Sequence, residues 1–230
     1  MGALGLGRIE EAAEPRGTRK LTWWLTLVSA LAILNYASRF ESGKPPKNVL
    51  YHWDNAIGGA AQFLVILGIA LAIARGWPEL LALRRPRSWR GAAGGAFVIL
   101  VAIYTLSAIV GPILHPGREQ GLTPDHWDSS RAAPFLANAF LVCVIAPFVE
   151  EITFRGVGYG LLASRFGAEP AIVGSALCFG LAHGLVEALP LLVAFGISLA
   201  WLRERQNSTI PGMILHATFN AVALAASILA

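Results

Sequence analysis

Three short stretches carry the residues that could do chemistry. EEITFR holds Glu150, Glu151 and Arg155, FGLAH runs from Phe179 to His183, and HATFN sets His216 four residues before Asn220. Hydrolysing an amide needs a base for water and donors for the tetrahedral oxyanion. A carboxylate, two imidazoles and an asparagine supply those groups, and a carboxylate out of water suits general acid–base work. Apart from EE and R, residues 132–164 are uncharged and mostly apolar. In lipid such charges cost at least ~2.5–3.5 kcal/mol each near the bilayer centre, so an ionisable residue there marks function.

The elements that must position these groups are membrane helices. Of 230 residues, 55% are hydrophobic and 14% charged, with mean hydropathy +0.58, whereas soluble domains carry about a quarter charged residues. Runs long enough for the ~20 residues that cross hydrocarbon recur along the chain. The expected fold is an all-α, polytopic membrane bundle with about seven spans. They fall near Leu21–Ala37, Ala56–Ala74, Gly91–Leu114, Ala133–Ser164, Glu169–Leu185, Ala188–Leu202 and Thr209–Leu229. The fourth is either one tilted helix or one broken at Pro147, and the fifth and sixth are short enough to form a hairpin. Residues 1–20 read as a tail. Residues 21–131 read as a scaffold whose spans carry no charge, and 132–230 as a core with a polar cavity.

At ~100° per residue Glu151 and Arg155 share a helix face and suit an ion pair, while Glu150 lies about 140° from Arg155 without a partner on its own helix. Counted at ~1.5 Å per residue, Glu150 and His183 lie roughly 22–24 Å from the Arg165–Gly167 boundary, and His216 about 12 Å from Ser208. Against a ~30 Å core the three can meet near the midplane. Asn138 and Ser175 are minor polar members, and Glu187, close to Pro190, reads as a boundary residue.

Other chemistry fits parts of this set. His216 and Asn220 could be hydrogen-bonding glue between helices, and Glu151–Arg155 a structural pair. Glu150, His183 and His216 could ligate zinc as His₂Glu with water in the fourth position, although the HExxH signature is absent. A transporter with a proton-relay carboxylate would carry inverted repeats, and none stands out. His115, Asp125, His126 and Asp128 read as a solvated loop rather than a metal cluster. Cys143 and Cys178 read as small buried hydrophobes. Gly156/Gly160 and Gly180/Gly184 have the spacing of close helix packing.

Taken together, EEITFR, FGLAH and HATFN match EExxxR, FxxxH and HxxxN, and over about 132–221 their order and separations resemble those of the CPBP intramembrane proteases (CAAX endopeptidases and bacteriocin-processing enzymes, also called the ABI family). The resemblance implies membrane helices around a water-accessible conical cavity and a metal-free, glutamate-dependent endopeptidase. Its catalytic positions fall on Glu150, His183, His216 and Asn220. Glu150 would deprotonate water, His183 would orient it, and His216 with Asn220 would hold the oxyanion. Glu151, Arg155 and Phe179 would support them, with Arg155 a candidate cation for positioning substrate. The implied substrates are membrane-associated proteins or peptides: prenylated CAAX proteins, leader peptides or C-terminal anchors. A non-hydrolytic scaffold or transporter is the competing reading.

Net charge +4 comes from 15 arginines and three lysines that lie between apolar runs, which suits orientation in a bilayer rather than a nucleic-acid surface. Arginines crowd 75–90, residues 115–131 are balanced, and RER follows at 203–205, so the N-terminus is expected in the cytoplasm and the C-terminus outside. Arg39, Lys44 and Lys47 run against that pattern. The arginine bias suggests a bacterial inner membrane. Oligomeric state is not encoded legibly.

Overall fold

The computed structural model describes residues 16–42, 48–114, 119 and 127–229, which form helices and no strand. Among the described residues seven longer helices make up the bundle: α1 Arg16–Ser42, α2 Trp53–Ala74, α3 Trp89–Leu114, α4 Ser129–Phe166, α5 Ala168–Ala182, α6 Leu189–Gln206 and α7 Ile210–Leu229. Five of them (α1–α4 and α7) are long and apolar enough to cross a membrane. The chain is an integral membrane protein.

The fourth span is not broken at Pro147. It runs 38 residues, with π-helical turns at Leu141–Ile145 and Glu151–Gly158. Proline lacks an N–H and crowds the carbonyl four residues back. Shifting the preceding turn to i→i+5 pairing accommodates it, and Ala146 N–H accordingly donates to Leu141 O. The α-helical arithmetic used above for Glu150 and Arg155 therefore does not hold in this segment.

The hairpin expectation is met in α5 and α6. Fifteen residues give α5 a length of about 22 Å, short of the ~30 Å hydrocarbon. Its turn is held from outside: Glu119 accepts the backbone N–H groups of Val186, Glu187 and Ala188 at 3.1, 2.8 and 3.1 Å. Glu187 is exposed in that turn, as a boundary residue should be.

The main core joins α1 and α2 to the middle of α4. Trp24, fully buried, donates Nε1–H to Thr153 O at 2.9 Å and packs with Ile152, Phe154, Val157 and Phe179. Its ring lies where a side chain on Gly158 would stand, 2.2 Å from an added Cβ. Gly156 and Gly160 admit Leu81 and Leu80, and Gly180 admits Val193, so these glycines serve packing.

At the opposite end from Glu119, the arginine-rich 75–90 segment proves to be more than an orientation signal. It grips the α6–α7 turn: Thr209 Oγ1 donates to Leu81 O at 2.9 Å, Ser208 Oγ to Arg84 O at 2.5 Å, and Arg87 N–H to Gln206 O at 3.0 Å. Lys20 Nζ donates to the carbonyls of Ile73 and Arg75 where α2 ends, the end at which cations favour the helix dipole. These ties set the start of α7, and with it the depth of His216.

Candidate active site

Glu150, His183 and His216 come from three different helices and converge. Glu150 Oε2 lies 3.8 Å from His183 Nε2 and 3.8 Å from His216 Nε2. Those separations exceed a direct hydrogen bond and suit a bridging water. The Glu150 side chain keeps 16% exposure and that of His183 21%, so neither is sealed off.

Each imidazole is fixed by its other nitrogen. His183 ends α5, and its Nδ1 lies 2.7 Å from Phe179 O. A carbonyl only accepts, so Nδ1 carries the hydrogen and Nε2 presents a lone pair toward Glu150. His216 Nδ1 lies 3.3 Å from Glu151 Oε1; the carboxylate accepts there too, and Nε2 again faces Glu150. Phe179 packs edge-on against both rings, with centroids 4.5 Å from His183 and 5.9 Å from His216, and Phe195 meets His216 at 5.2 Å.

The Glu151–Arg155 pair forms as expected, at 3.1 Å and wholly buried. Its Glu151 end reaches further than a structural pair would, because the same Oε1 holds His216. Arg155 is not a substrate-positioning cation: it is fully buried, stacks 4.2 Å over Phe179, donates to Gly196 O at 3.2 Å and lines neither cavity around Glu150. The other carboxylate oxygen, Glu151 Oε2, lies against Gly212, one turn before His216; a Cβ there would stand 2.7 Å from it. Gly212 escaped sequence reasoning, since a lone glycine ahead of a histidine carries no recognisable signal.

Asn220 has a second task. Pro147 cannot donate to Val142 O, the i−5 partner its π-register position would require, and Asn220 Nδ2 donates to that carbonyl instead at 2.9 Å. Its remaining N–H and its Oδ1 stay free for the cavity, which Asn220 lines.

A cavity of about 360 Å³ opens beside these groups, lined by Glu150, His183, His216 and Asn220 at one side and mainly by apolar residues elsewhere, among them Val142, Leu192, Phe195, Phe219 and Leu224. Asn138 is no part of it. Buried, Asn138 accepts from Asn55 at 2.6 Å and donates to Leu50, His52 and Pro134 carbonyls, tying the 49–52 segment to α4. Ser175 bonds only within its own helix, to Ile172 O at 3.3 Å.

Among the described residues, no group of three or more His, Cys, Asp or Glu is arranged to hold a metal. His115, Asp125 and His126 lie outside the described residues. Asp128 pairs with Arg131 at 2.6 Å, and hydrogen bonds from Ser130 and Arg131 hold its carboxyl down to about 2. Cys143 and Cys178 are free and partly buried.

Residues 132–222 match the family described as type II CAAX prenyl endopeptidase Rce1-like. Over this segment the chain is similar to the CPBP family. Over a longer stretch the chain is 24% identical to "Putative membrane peptidase YdiL" of Bacillus subtilis (strain 168), covering 88% of this chain and 87% of that protein. No solved structure matches significantly. Both matches point to a membrane protease, and the matched segment contains Glu150, His183, His216 and Asn220.

Proposed function

We propose that the protein is a glutamate-dependent intramembrane endopeptidase that cleaves membrane-associated proteins or peptides without a metal. The observation that carries this is one carboxylate oxygen equidistant from two imidazole Nε2 atoms at the edge of an apolar cavity. A water between Glu150 and His183 gives its proton to Glu150, and His183 Nε2 accepts the water's other hydrogen and orients it. The hydroxyl oxygen bonds to the scissile carbonyl carbon. Glu150 then delivers the proton to the leaving nitrogen as the C–N bond breaks.

The oxyanion falls to His216 and Asn220. His216 donates from Nε2 in the state in which both ring nitrogens carry hydrogen. Asn220 contributes the N–H not spent on Val142 O. Glu151 and Arg155 act behind His216, one holding the ring and the other neutralising the carboxylate that does so.

The apolar walls favour a hydrophobic segment as substrate, in keeping with a CAAX-type, leader-peptide or C-terminal-anchor substrate. The basic residues support a cytoplasmic N-terminus in a bacterial inner membrane. Thr18 meets Arg165, and Lys20 meets Arg75, so several of the expected inner-side residues gather at one end of the bundle.

Terminal-peptide proteomics on membranes expressing this chain or its Glu150→Gln form tests the proposal. New protein termini that require Glu150 support it and identify the substrate. Identical termini, with both forms folded in the native host, would favour a non-hydrolytic scaffold or transporter. Cleavage abolished by chelation and restored by zinc would transfer Glu150, His183 and His216 to a metal.

A further inference from the structure

A second cavity, about 200 Å³, borders Glu150 and His183 and is lined by residues of α1 and α2 as well. The two cavities share Glu150, His183 and Phe63. Their walls differ in a telling way. The smaller one adds two amides from outside the CPBP segment, Asn35 on α1 and Gln62 on α2. Gln62 sits nine residues into a 22-residue apolar helix, about 14 Å from its Trp53 end by helical rise. An amide at that depth is expensive unless it meets a polar partner or water. Asn35 donates Nδ2–H to Ala182 O at 2.6 Å, beside His183, and leaves its Oδ1 for the cavity.

We propose that this smaller cavity is the water chamber of the protease. The peptide occupies the large apolar cavity, and the hydrolytic water reaches Glu150 from the smaller one, past Gln62 and Asn35. An apolar substrate filling the larger cavity would shut out water from its own side. A separate chamber keeps the nucleophile supplied while the carbonyl is in place. Each turnover consumes one water, its oxygen leaving in the new carboxyl group and its protons in the new carboxyl and amine. The chamber must therefore refill once per cycle. The proposal rests on the protease reading, and its test has a readout independent of cleavage.

The test places single cysteines at Gln62, itself exposed but lining the cavity, and, as a control on the same helix that lines neither cavity, at Leu64, which is 70% exposed. Cys143 and Cys178 are replaced by alanine in both. A negatively charged methanethiosulfonate is applied to the protein in liposomes. The chamber predicts that Gln62→Cys reacts at least about tenfold faster than Leu64→Cys, since a thiol needs water to ionise. It also predicts that the charged adduct lowers kcat at least about tenfold with KM unchanged, as obstruction of water rather than of substrate requires. Equal labelling of the two variants would mean that lipid fills the space and would overturn the proposal. So would fast labelling that leaves cleavage intact. Failure of the protease reading appears separately, as cleavage that persists in Glu150→Gln whatever the labelling contrast.

Discussion

Gly212→Ala gives the sharpest test of how the site is held. Helix propensity alone would make the change favourable by about 1 kcal/mol. The structure reverses that sign. An added Cβ would lie 2.7 Å from Glu151 Oε2 and 3.5 Å from Glu151 Cδ, well inside van der Waals contact. The carboxylate cannot yield without loss, because its Oε1 holds both Arg155 and His216 Nδ1, at 3.1 and 3.3 Å. Weakening a charged hydrogen bond costs about 1.5–3 kcal/mol and overpacking about 1–3. Set against the propensity gain, a net loss of about 2 kcal/mol follows, or about 5 °C in Tm. Release of His216 from Glu151 should lower kcat about 10²-fold, the scale of a 1 Å misplacement at a reacting centre. Intrinsic tryptophan fluorescence in detergent reads the first effect, and cleavage of a fluorogenic peptide the second. Gly94→Ala on α3, where an added Cβ meets nothing within 4 Å, is the control and should be neutral or stabilising. A Gly212→Ala protein that melts higher than wild type and cleaves normally would refute this reasoning.

Two further outcomes follow from the same geometry. Asn220→Ala should destabilise by about 1–3 kcal/mol by orphaning the Val142 carbonyl. In a Pro147→Ala background, where a backbone N–H is restored, that stability loss should shrink while the loss of kcat stays, and a double-mutant cycle on Tm and kcat separates the two. Glu119→Ala should raise hydrogen exchange across 183–188 and cost about 2 kcal/mol, because three backbone donors lose a charged acceptor; unchanged exchange would show that the turn holds itself.

Much of this site could be read from the sequence, for identifiable reasons. Hydrophobic runs locate helices because lipid enforces them, and EEITFR, FGLAH and HATFN stand out because charged and polar groups are costly there. Depth counting put Glu150, His183 and His216 within several ångströms of the midplane, and they do meet. What escaped the sequence depends on contacts between helices. Hydrophobic periodicity does not encode a π turn, so the behaviour of α4 around Pro147 and the second role of Asn220 stayed hidden. Gly212 matters through the space it leaves for a side chain on another helix. Arg155 looked available to substrate because a helical wheel assigns a face and says nothing about what covers it. Asn35 and Gln62 carry no charge, and an uncharged amide inside an apolar run is a weaker version of the same signal.

The central claim is that Glu150 activates water between His183 and His216. The most direct measurement is steady-state cleavage by purified, reconstituted wild type and Glu150→Gln, with matched Tm as the check on folding. The account predicts a fall in kcat of about 10²–10⁴-fold with little change in KM, the range expected on removing a general base. A Glu150→Gln enzyme that keeps kcat within a few-fold of wild type would contradict it and leave the convergence on Glu150 without a catalytic role.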